Sequence, residues 1–404
     1  MRLLILADGR SAIALNWISG MLNRGHEIHL ASSFPCSPDL PLASLSIVPL
    51  AFSQLKGSGQ VKAGSQTEIV SQKKGRSLGG AALVGARTWL RQWFGPLTLP
   101  SAARHLNAII HQVQPDLIHA MRIPYEGMAA ALALKDTPFP FLVSIWGNDF
   151  TLHAPSNPWM GRLTRQALGR ADSLHADCAR DIRLARSWGF RAGLPAIILP
   201  GAGGVQSEIF YPLRATSLLP GGEQLVVNPR GVRAYVRTDA FFKAIPFVLA
   251  DYPKARFACV GMAGEAAALR WVRELGVAGS VDLLPSQSRM DMANLFRRAQ
   301  VAVSPTTHDG TPNTLLEAMA CGCFPVVGDL ESLREWITPG INGLLVDPSD
   351  PQALAQAICQ ALLNADLRRR AAEINVKLIA ERADFQAVMR KAEAFYQDVL
   401  TRIS

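Results

Sequence analysis

Short apolar runs alternate with helix-compatible stretches along most of this chain, and the alternation runs twice. Leu3 to Ala7, Ile28 to Ala31, Leu117 to Ala120, Phe141 to Ile145, Ser173 to Ala176 and Ile197 to Leu199 form a first series of apolar runs. Leu225 to Asn228, Arg256 to Val260, Val281 to Leu284, Val301 to Ser304 and Phe324 to Val327 form a second. Between them lie amphipathic segments such as Ile13 to Arg24, Thr238 to Leu249, Met290 to Arg298 and Asn313 to Ala320. Strands that alternate with helices predict an α/β fold whose parallel sheets are covered on both faces. Gly25 suits a left-handed helix end, and Asp350 with Pro351 suits the cap and first turn of a helical tail from Gln352 onward.

At 404 residues the chain exceeds one ordinary core. Pro, Gly, Ser and Thr cluster between Pro212 and Gly222, which predicts Rossmann-like domains over 1–215 and 216–384 facing each other across a cleft. A helix over 385–404 is expected to pack back on the first domain. Hydrophobic residues make up 49% of the chain without any run near the 18 to 20 residues of a membrane span, and the opening run is too short for a signal peptide. A cytoplasmic protein is expected. Cys36, Cys178, Cys259, Cys321, Cys323 and Cys359 form no C-x-x-C pair and join no histidine cluster, which argues against a disulfide framework or structural zinc.

The net charge of +9 is unevenly placed. Between Leu40 and Pro115, eight Lys or Arg face the single acid Glu68. Such a segment suits a phosphorylated substrate, anionic lipid or nucleic acid, and composition does not choose among them. Gln54 to Gly80 lacks apolar periodicity and predicts a mobile loop. Ala81 to Phe94 pairs Trp89, Trp93 and Phe94 with Arg87 and Arg91, compatible with a helix in a bilayer interface or one packed on the domain.

The richest stretch is Val301 to Val327. A buried strand ends at Pro305, a polar loop follows, Thr311 and Pro312 can open a helix, and Gly322 can end it. Ligands of open α/β sheets bind beyond the carboxyl ends of such strands. Gly310 would let the backbone approach a phosphate, and the N–H groups of Asn313, Thr314 and Leu315 would form an anion site. Asp309 and Glu317 could both reach its mouth and accept hydrogen bonds from sugar hydroxyls. Leu284, closing its strand, is counted among the donor contacts.

This segment resembles the signature of the retaining two-domain glycosyltransferases of family 4, which have the GT-B fold. An acid followed by Gly, then Glu in E-A-M-A-x-G-x-P-V, appears as Asp309-Gly310 and Glu317-Ala318-Met319-Ala320-Cys321-Gly322-Cys323-Phe324-Pro325-Val326, one residue longer before Pro325. The resemblance implies that the first acid contacts the transferred sugar and Glu317 the ribose. Asp309 replaces the commoner Glu. Asn228-Pro229-Arg230 resembles the family's basic loop, whose Arg and Lys grip the diphosphate. Arg230 matches the first, Tyr235 stands at the usual Lys spacing, and Arg233 or Arg237 would have to substitute.

In the first domain Arg24-Gly25-His26-Glu27, Pro115-Asp116-Leu117-Ile118-His119 and Trp146-Gly147-Asn148-Asp149 resemble family landmarks. The turn Asp8, Gly9, Arg10, Ser11 and the segment Trp146, Gly147, Asn148, Asp149 are expected on the acceptor side. Trp146 stands where many members have His. His119 is a catalytic candidate beside Asp309 and Arg230, weighed against a buried, satisfied histidine.

No D-x-D occurs, so no metal and no other cofactor is expected. The resemblance implies a retaining transfer from a nucleotide-diphosphate sugar to a hydroxyl acceptor. Lipid-linked or membrane-surface glycans are the first expectation, with peripheral attachment to the inner face of an anionic membrane. A soluble acceptor stays open, and no nucleic-acid partner is expected. A catalytically silent nucleotide-sugar-binding module and a GT-B epimerase are the alternatives. An oxidoreductase is disfavoured because no G-x-G-x-x-G follows the first strand.

Overall fold

The computed structural model describes residues 1–51, 93–213 and 224–403. The chain divides into two compact units, Met1–Gly203 with Gln386–Ser404, and Gly204–Phe385.

The first unit carries strands β1 (Arg2–Ala7), β2 (Glu27–Ser32), β3 (Ser44–Ile47), β4 (Leu117–Ala120), β5 (Phe141–Ile145), β6 (Ser173–Ala176) and β7 (Ala196–Ile198). They form one parallel sheet in the order β3-β2-β1-β4-β5-β6-β7. Side chains alternate between its faces. Leu4, Leu6, Ile118, Ala120, Val143 and Leu174 enter a core with the helices Leu99–Val113, Met128–Ala133 and Pro158–Arg170. Leu3, Ile5, His119, Ser144 and His175 take the alternate positions, where Trp17 of helix Ala12–Leu22 and Tyr396 of helix Phe385–Ile403 are buried.

The second unit repeats the plan with β8 (Leu225–Asn228), β9 (Arg256–Cys259), β10 (Val281–Leu283), β11 (Val301–Ser304), β12 (Phe324–Gly328) and β13 (Leu344–Val346). These form a parallel sheet in the order β10-β9-β8-β11-β12-β13. In each sheet the first strand is central and the order reverses beside it, at β1/β4 and at β8/β11. That reversal leaves a crevice at the carboxyl ends of the two strands, because the following loops diverge to opposite faces. One face of the second sheet packs Val226, Phe257 and Val303 against Phe241, Phe242 and Leu354. The other packs Val227, Ala258 and Ala302 against Phe296, Leu316 and Met319.

Most sequence-derived elements fall where expected; β4, β5, β6, β8, β11 and helix Asn313–Ala320 match residue for residue. Asp350 caps Pro351–Leu363 by accepting from the N–H groups of Gln352 and Ala353. Gly322, at φ +78°, ends its helix in the left-handed region, where a Cβ would be strained. Two readings change. The edge strands β3 and β13 were not anticipated, being short runs with partial exposure. The division lies at Gly203 rather than near 215, because Val205 and Phe210 are buried in the second unit's core and Val205 bridges to Asp384. Pro312, read as able to open the helix, stands as its N-cap. The proposed loop Gln54 to Gly80 and the Trp-bearing stretch up to residue 92 lie outside the described residues. Among the described residues no helix is long and apolar enough to cross a membrane.

Candidate functional site

In the second unit the carboxyl ends of β8 and β11 bring the central sequence candidates together. Arg230, in the loop after β8, places Nη2 2.6 Å from Oδ2 of Asp309, in the loop after β11. Both side chains are mostly buried, at 10% and 17% exposure, so solvent screens the pair weakly. The loop is held from beneath. Ser332 Oγ donates to the Asp309 carbonyl at 2.7 Å, Trp336 Nε1 donates to Thr311 Oγ1 at 3.0 Å, and Thr307 N donates to the Tyr235 carbonyl at 2.8 Å. Gly310 and Pro312 are buried beside them.

Helix Asn313–Ala320 starts without a side-chain cap. The N–H groups of Asn313 and Thr314 find no acceptor among the described residues, so they keep the anion-binding character of a helix start. Leu315 does not share it: its N–H already donates to the Pro312 carbonyl at 3.0 Å, a tight first turn that corrects the expectation of three free donors. Glu317 sits on the inner face of this helix, 8% exposed. Burial pushes its carboxyl up to about 7, and the Arg289 guanidinium pulls it partly back. Its carboxylate makes no hydrogen bond among the described residues. Asn228 Nδ2, Arg230 Nε, Ser304 Oγ and Thr314 Oγ1 are likewise buried without a partner. Unpartnered buried polar atoms cost free energy, and here they gather at one sheet edge, as in a site that completes its hydrogen bonds with a ligand.

The remaining donor candidates divide. Arg237 forks onto Asp239 at 3.0 and 3.1 Å and donates to Ser349 Oγ at 2.5 Å, which removes it as a diphosphate clamp in this geometry. Arg233 is exposed and donates to Tyr235 Oη at 3.2 Å. Leu284 has its N–H on the Cys259 carbonyl and its carbonyl on the Met262 and Ala263 N–H groups, so only its half-buried side chain is available for contact.

In the first unit the acceptor-side candidates lie at the carboxyl ends of β1 and β5. Asp8 and Arg10 pair through two oxygens at 3.0 and 2.9 Å, with the Arg10 guanidinium 3.7 Å above the Phe34 ring. Gly9 N donates to Ser32 Oγ, and Ser11 caps helix Ala12–Leu22. Asp149 is buried and pairs with Arg122 at 3.1 Å, while Arg122 also donates to Asn148 Oδ1 at 3.0 Å. Burial raises the Asp149 carboxyl to about 6 against the pull of Arg122. Trp146 donates its backbone N–H to Asp149 and its indole N–H to the Met121 carbonyl, and the Gly147 carbonyl accepts from Arg180 at 2.8 Å.

His119 is corrected. It has no exposed surface, and its two ring nitrogens bond Tyr396 Oη and Ser144 Oγ at 2.7 Å each. Burial keeps the ring far below its ordinary value, so it stays neutral and engaged in the core rather than free for proton transfer. Arg122 was missed, although its position just beyond β4, at the carboxyl end of a central strand, could have marked it. Arg289 was also missed, because it acts through space on Glu317 and leaves no sequence pattern. Tyr235, noted from the sequence only as standing at the Lys spacing, supports the loop through its backbone carbonyl. Among the described residues one cluster has metal-ligand spacing, Asp177, Cys178 and Asp181, with ligand atoms within 4.8 Å. Arg180 already pairs with Asp181 at 2.8 Å and burial pushes the Cys178 thiol far up, so no thiolate is available there.

Residues 9–201 match the model of the glycosyl transferase 4-like domain, and residues 230–364 match that of glycosyl transferases group 1. D-inositol 3-phosphate glycosyltransferase from Thermobispora bispora is 25% identical over 215 residues, covering 50% of each chain. The Streptomyces bingchenggensis protein of the same name is 24% identical over 271 residues, 63% of this chain and 55% of its own. The chain thus spans about half the length of the curated relatives it matches. Among solved structures, sucrose-phosphate synthase from Thermosynechococcus elongatus superposes with a TM-score of 0.75 at 18% identity, covering 100% of both chains. Anabaena HepE, in complex with UDP and glucose, gives 0.70 at 15% identity over 98% of this chain and 100% of its own. With two family models spanning successive parts of the sequence and the fold shared end to end, the chain belongs to the group 1 glycosyltransferases and has the GT-B fold.

Proposed function

We propose that this protein transfers a glycosyl group from a nucleotide-diphosphate sugar to a hydroxyl acceptor, retaining the anomeric configuration and using no metal ion. One observation carries the reading: a buried, unpartnered Glu317 on a helix whose open N-terminus lies next to the Arg230–Asp309 pair. The ribose hydroxyls donate to the Glu317 carboxylate, while the Asn313 and Thr314 N–H groups and Arg230 take the diphosphate. Asp309 then turns from Arg230 to the sugar hydroxyls as the phosphate replaces it. The bond from the anomeric carbon to the diphosphate oxygen breaks. The acceptor oxygen bonds to that carbon on the same face, and its proton passes to the departing diphosphate. Preorganised cations and N–H groups supply the charge stabilisation that a metal provides elsewhere. Anabaena HepE, solved in complex with UDP and glucose and with UDP-glucose, supports a sugar-nucleotide donor.

Mixing the protein with UDP-, GDP- and ADP-sugars tests this reading. Slow nucleotide release that persists in EDTA and falls in Asp309→Ala and Glu317→Ala is expected. Tight binding without turnover would leave a silent nucleotide-sugar module instead, and an inverted product in an NMR-followed transfer would overturn retention.

For the acceptor we propose a lipid-linked or membrane-surface glycan, with the protein held peripherally on an anionic surface. The basic excess between Leu40 and Pro115 and the exposed Trp93, Phe94 and Leu97 support it. Pelleting with anionic liposomes at low salt, lost on deleting Gln54 to Gly80, is the expected result; unchanged pelleting of the deletion would contradict the loop's part in it.

A further inference from the structure

A line of buried polar groups crosses the first unit's sheet and takes no part in the donor chemistry. Trp17 Nε1 lies 2.8 Å from Tyr396 Oη, Tyr396 Oη 2.7 Å from His119 Nδ1, and His119 Nε2 2.7 Å from Ser144 Oγ. Ser144 Oγ then lies 2.8 Å from His175 Nδ1, and His175 Nε2 lies 3.0 Å from the Leu199 carbonyl. Both ends fix the protons. An indole N–H only donates and a backbone carbonyl only accepts, so five hydrogen bonds among six groups run in one direction, each hydroxyl and imidazole accepting once and donating once. Both histidines must be neutral and carry hydrogen on Nε2. A second proton on either ring makes the neighbouring hydroxyl accept twice and leaves its own O–H without a partner.

The line joins the two segments by which the chain leaves and re-enters this unit. Leu199 precedes Pro200–Gly203, where the unit's first segment ends, and Tyr396 belongs to its second segment, Gln386–Ser404. Between Leu199 and the exit, Asn16 Nδ2 donates to the Ala202 carbonyl at 2.5 Å, and Gly201 lies so close to Trp146 that a Cβ would meet the indole at 1.7 Å. The Trp146 ring stands edge-on to His175 at 6.0 Å. We infer that His119, Ser144 and His175 are positioning residues: their one-way hydrogen-bond chain ties the returning C-terminal helix to the exit segment Leu199–Gly203 and so sets Trp146 on the acceptor side.

Few other charges reach this line. His119, His175 and Tyr396 are the titratable groups that face one another in it; helix Ala12–Leu22 has no charged residue, and Glu393 of the C-terminal helix is turned to Arg24 and His26. Arg390, Lys391 and Asp398 of that helix are exposed. Burial holds both rings neutral, His175 down to about 4.

The assignment to the acceptor side rests on the proposed function; the chain does not, and its test needs no substrate. Nitrogen-15 spectra of the full-length protein should show both imidazoles as neutral Nε2–H tautomers from pH 5.5 to 8. Tyr396→Phe keeps the ring and removes one hydroxyl. It should shift the signals of His175 as well as His119, and speed amide exchange at Ala202 and Gly203 about tenfold. Ser144→Ala should do the same to Ala202 and Gly203, and the two changes together should exceed neither by much, since either one cuts the same chain. An Nδ1–H tautomer at either ring, titration near the ordinary histidine value, or a Tyr396→Phe effect confined to His119 would each overturn the inference. If a transferase assay is in hand, both variants should raise the acceptor KM with donor affinity unchanged, and a changed donor affinity would contradict the positioning role.

Discussion

The two units both bury polar side chains, to opposite ends. In the first, His119, Ser144 and His175 stand on adjacent strands with every donor and acceptor of the line matched. In the second, buried Glu317 and Asn228 and half-buried Thr314 hold polar atoms that nothing in the described protein satisfies. A satisfied buried network specifies packing; an unsatisfied one is stable only if something else completes it. His119 drew attention from the sequence because a histidine ends a strand beside a crevice, and its partners decide against a catalytic part. Glu317 drew attention from a motif, and its lack of partners supports a binding part.

The largest expected effect falls on the unsatisfied side. Arg230→Ala should raise the transfer barrier by about 2 to 4 kcal/mol, read as a loss of turnover on a saturating nucleotide-sugar donor. A full-rate variant would move the charge stabilisation elsewhere.

Opposite pH responses sharpen the contrast. Glu317 holds its proton more tightly when folded, with a pKa near 7 against an ordinary 4.5, so the folded state binds more protons and stability falls as pH rises through that window. Glu317→Gln should therefore stabilise the second unit by about 3 kcal/mol at pH 8 and by little at pH 4, seen as a pH-dependent gap in melting temperature. His175 runs the other way: its folded pKa near 4 against 6.5 makes stability full above pH 6.5 and lost as pH falls toward 4. His175→Gln should be less stable than the parent at pH 7 and lose up to about 3 kcal/mol less between pH 7 and 4. Equal acid limbs in both proteins would break the comparison.

Tyr396→Phe is the mildest of these changes. Leaving Trp17 Nε1 and His119 Nδ1 without a partner should cost about 1 to 3 kcal/mol of stability in denaturant melts, with donor affinity unmoved.

Much of the fold was legible because a parallel strand covered on both faces must be apolar throughout, as in Val301–Ser304 and Phe141–Ile145. The edge strands Ser44–Ile47 and Leu344–Val346 were not, since an edge is only partly covered and its pattern fades. In the site, Asp309 and Glu317 were legible along one strand, loop and helix, and Arg230 from the likeness of the loop after another strand to the family's basic loop. Pairing was not: that Asp309 takes Arg230 across the crevice depends on geometry in space, and that Asp239 takes Arg237 and Pro312 the Leu315 N–H depends on the local turn of the backbone. The unit boundary was misplaced for a similar reason, as Phe210 reads as one of two aromatics beside a Pro-rich stretch and is in fact core.

Calorimetric titration of a nucleotide-sugar into the parent, Glu317→Ala and Ser144→Ala proteins tests the central claim most directly. About a tenfold or greater loss of affinity in Glu317→Ala, with Ser144→Ala equal to the parent, is the predicted result. Parent-like affinity in Glu317→Ala would contradict it, for the open polar atoms of the second unit would then be holding nothing.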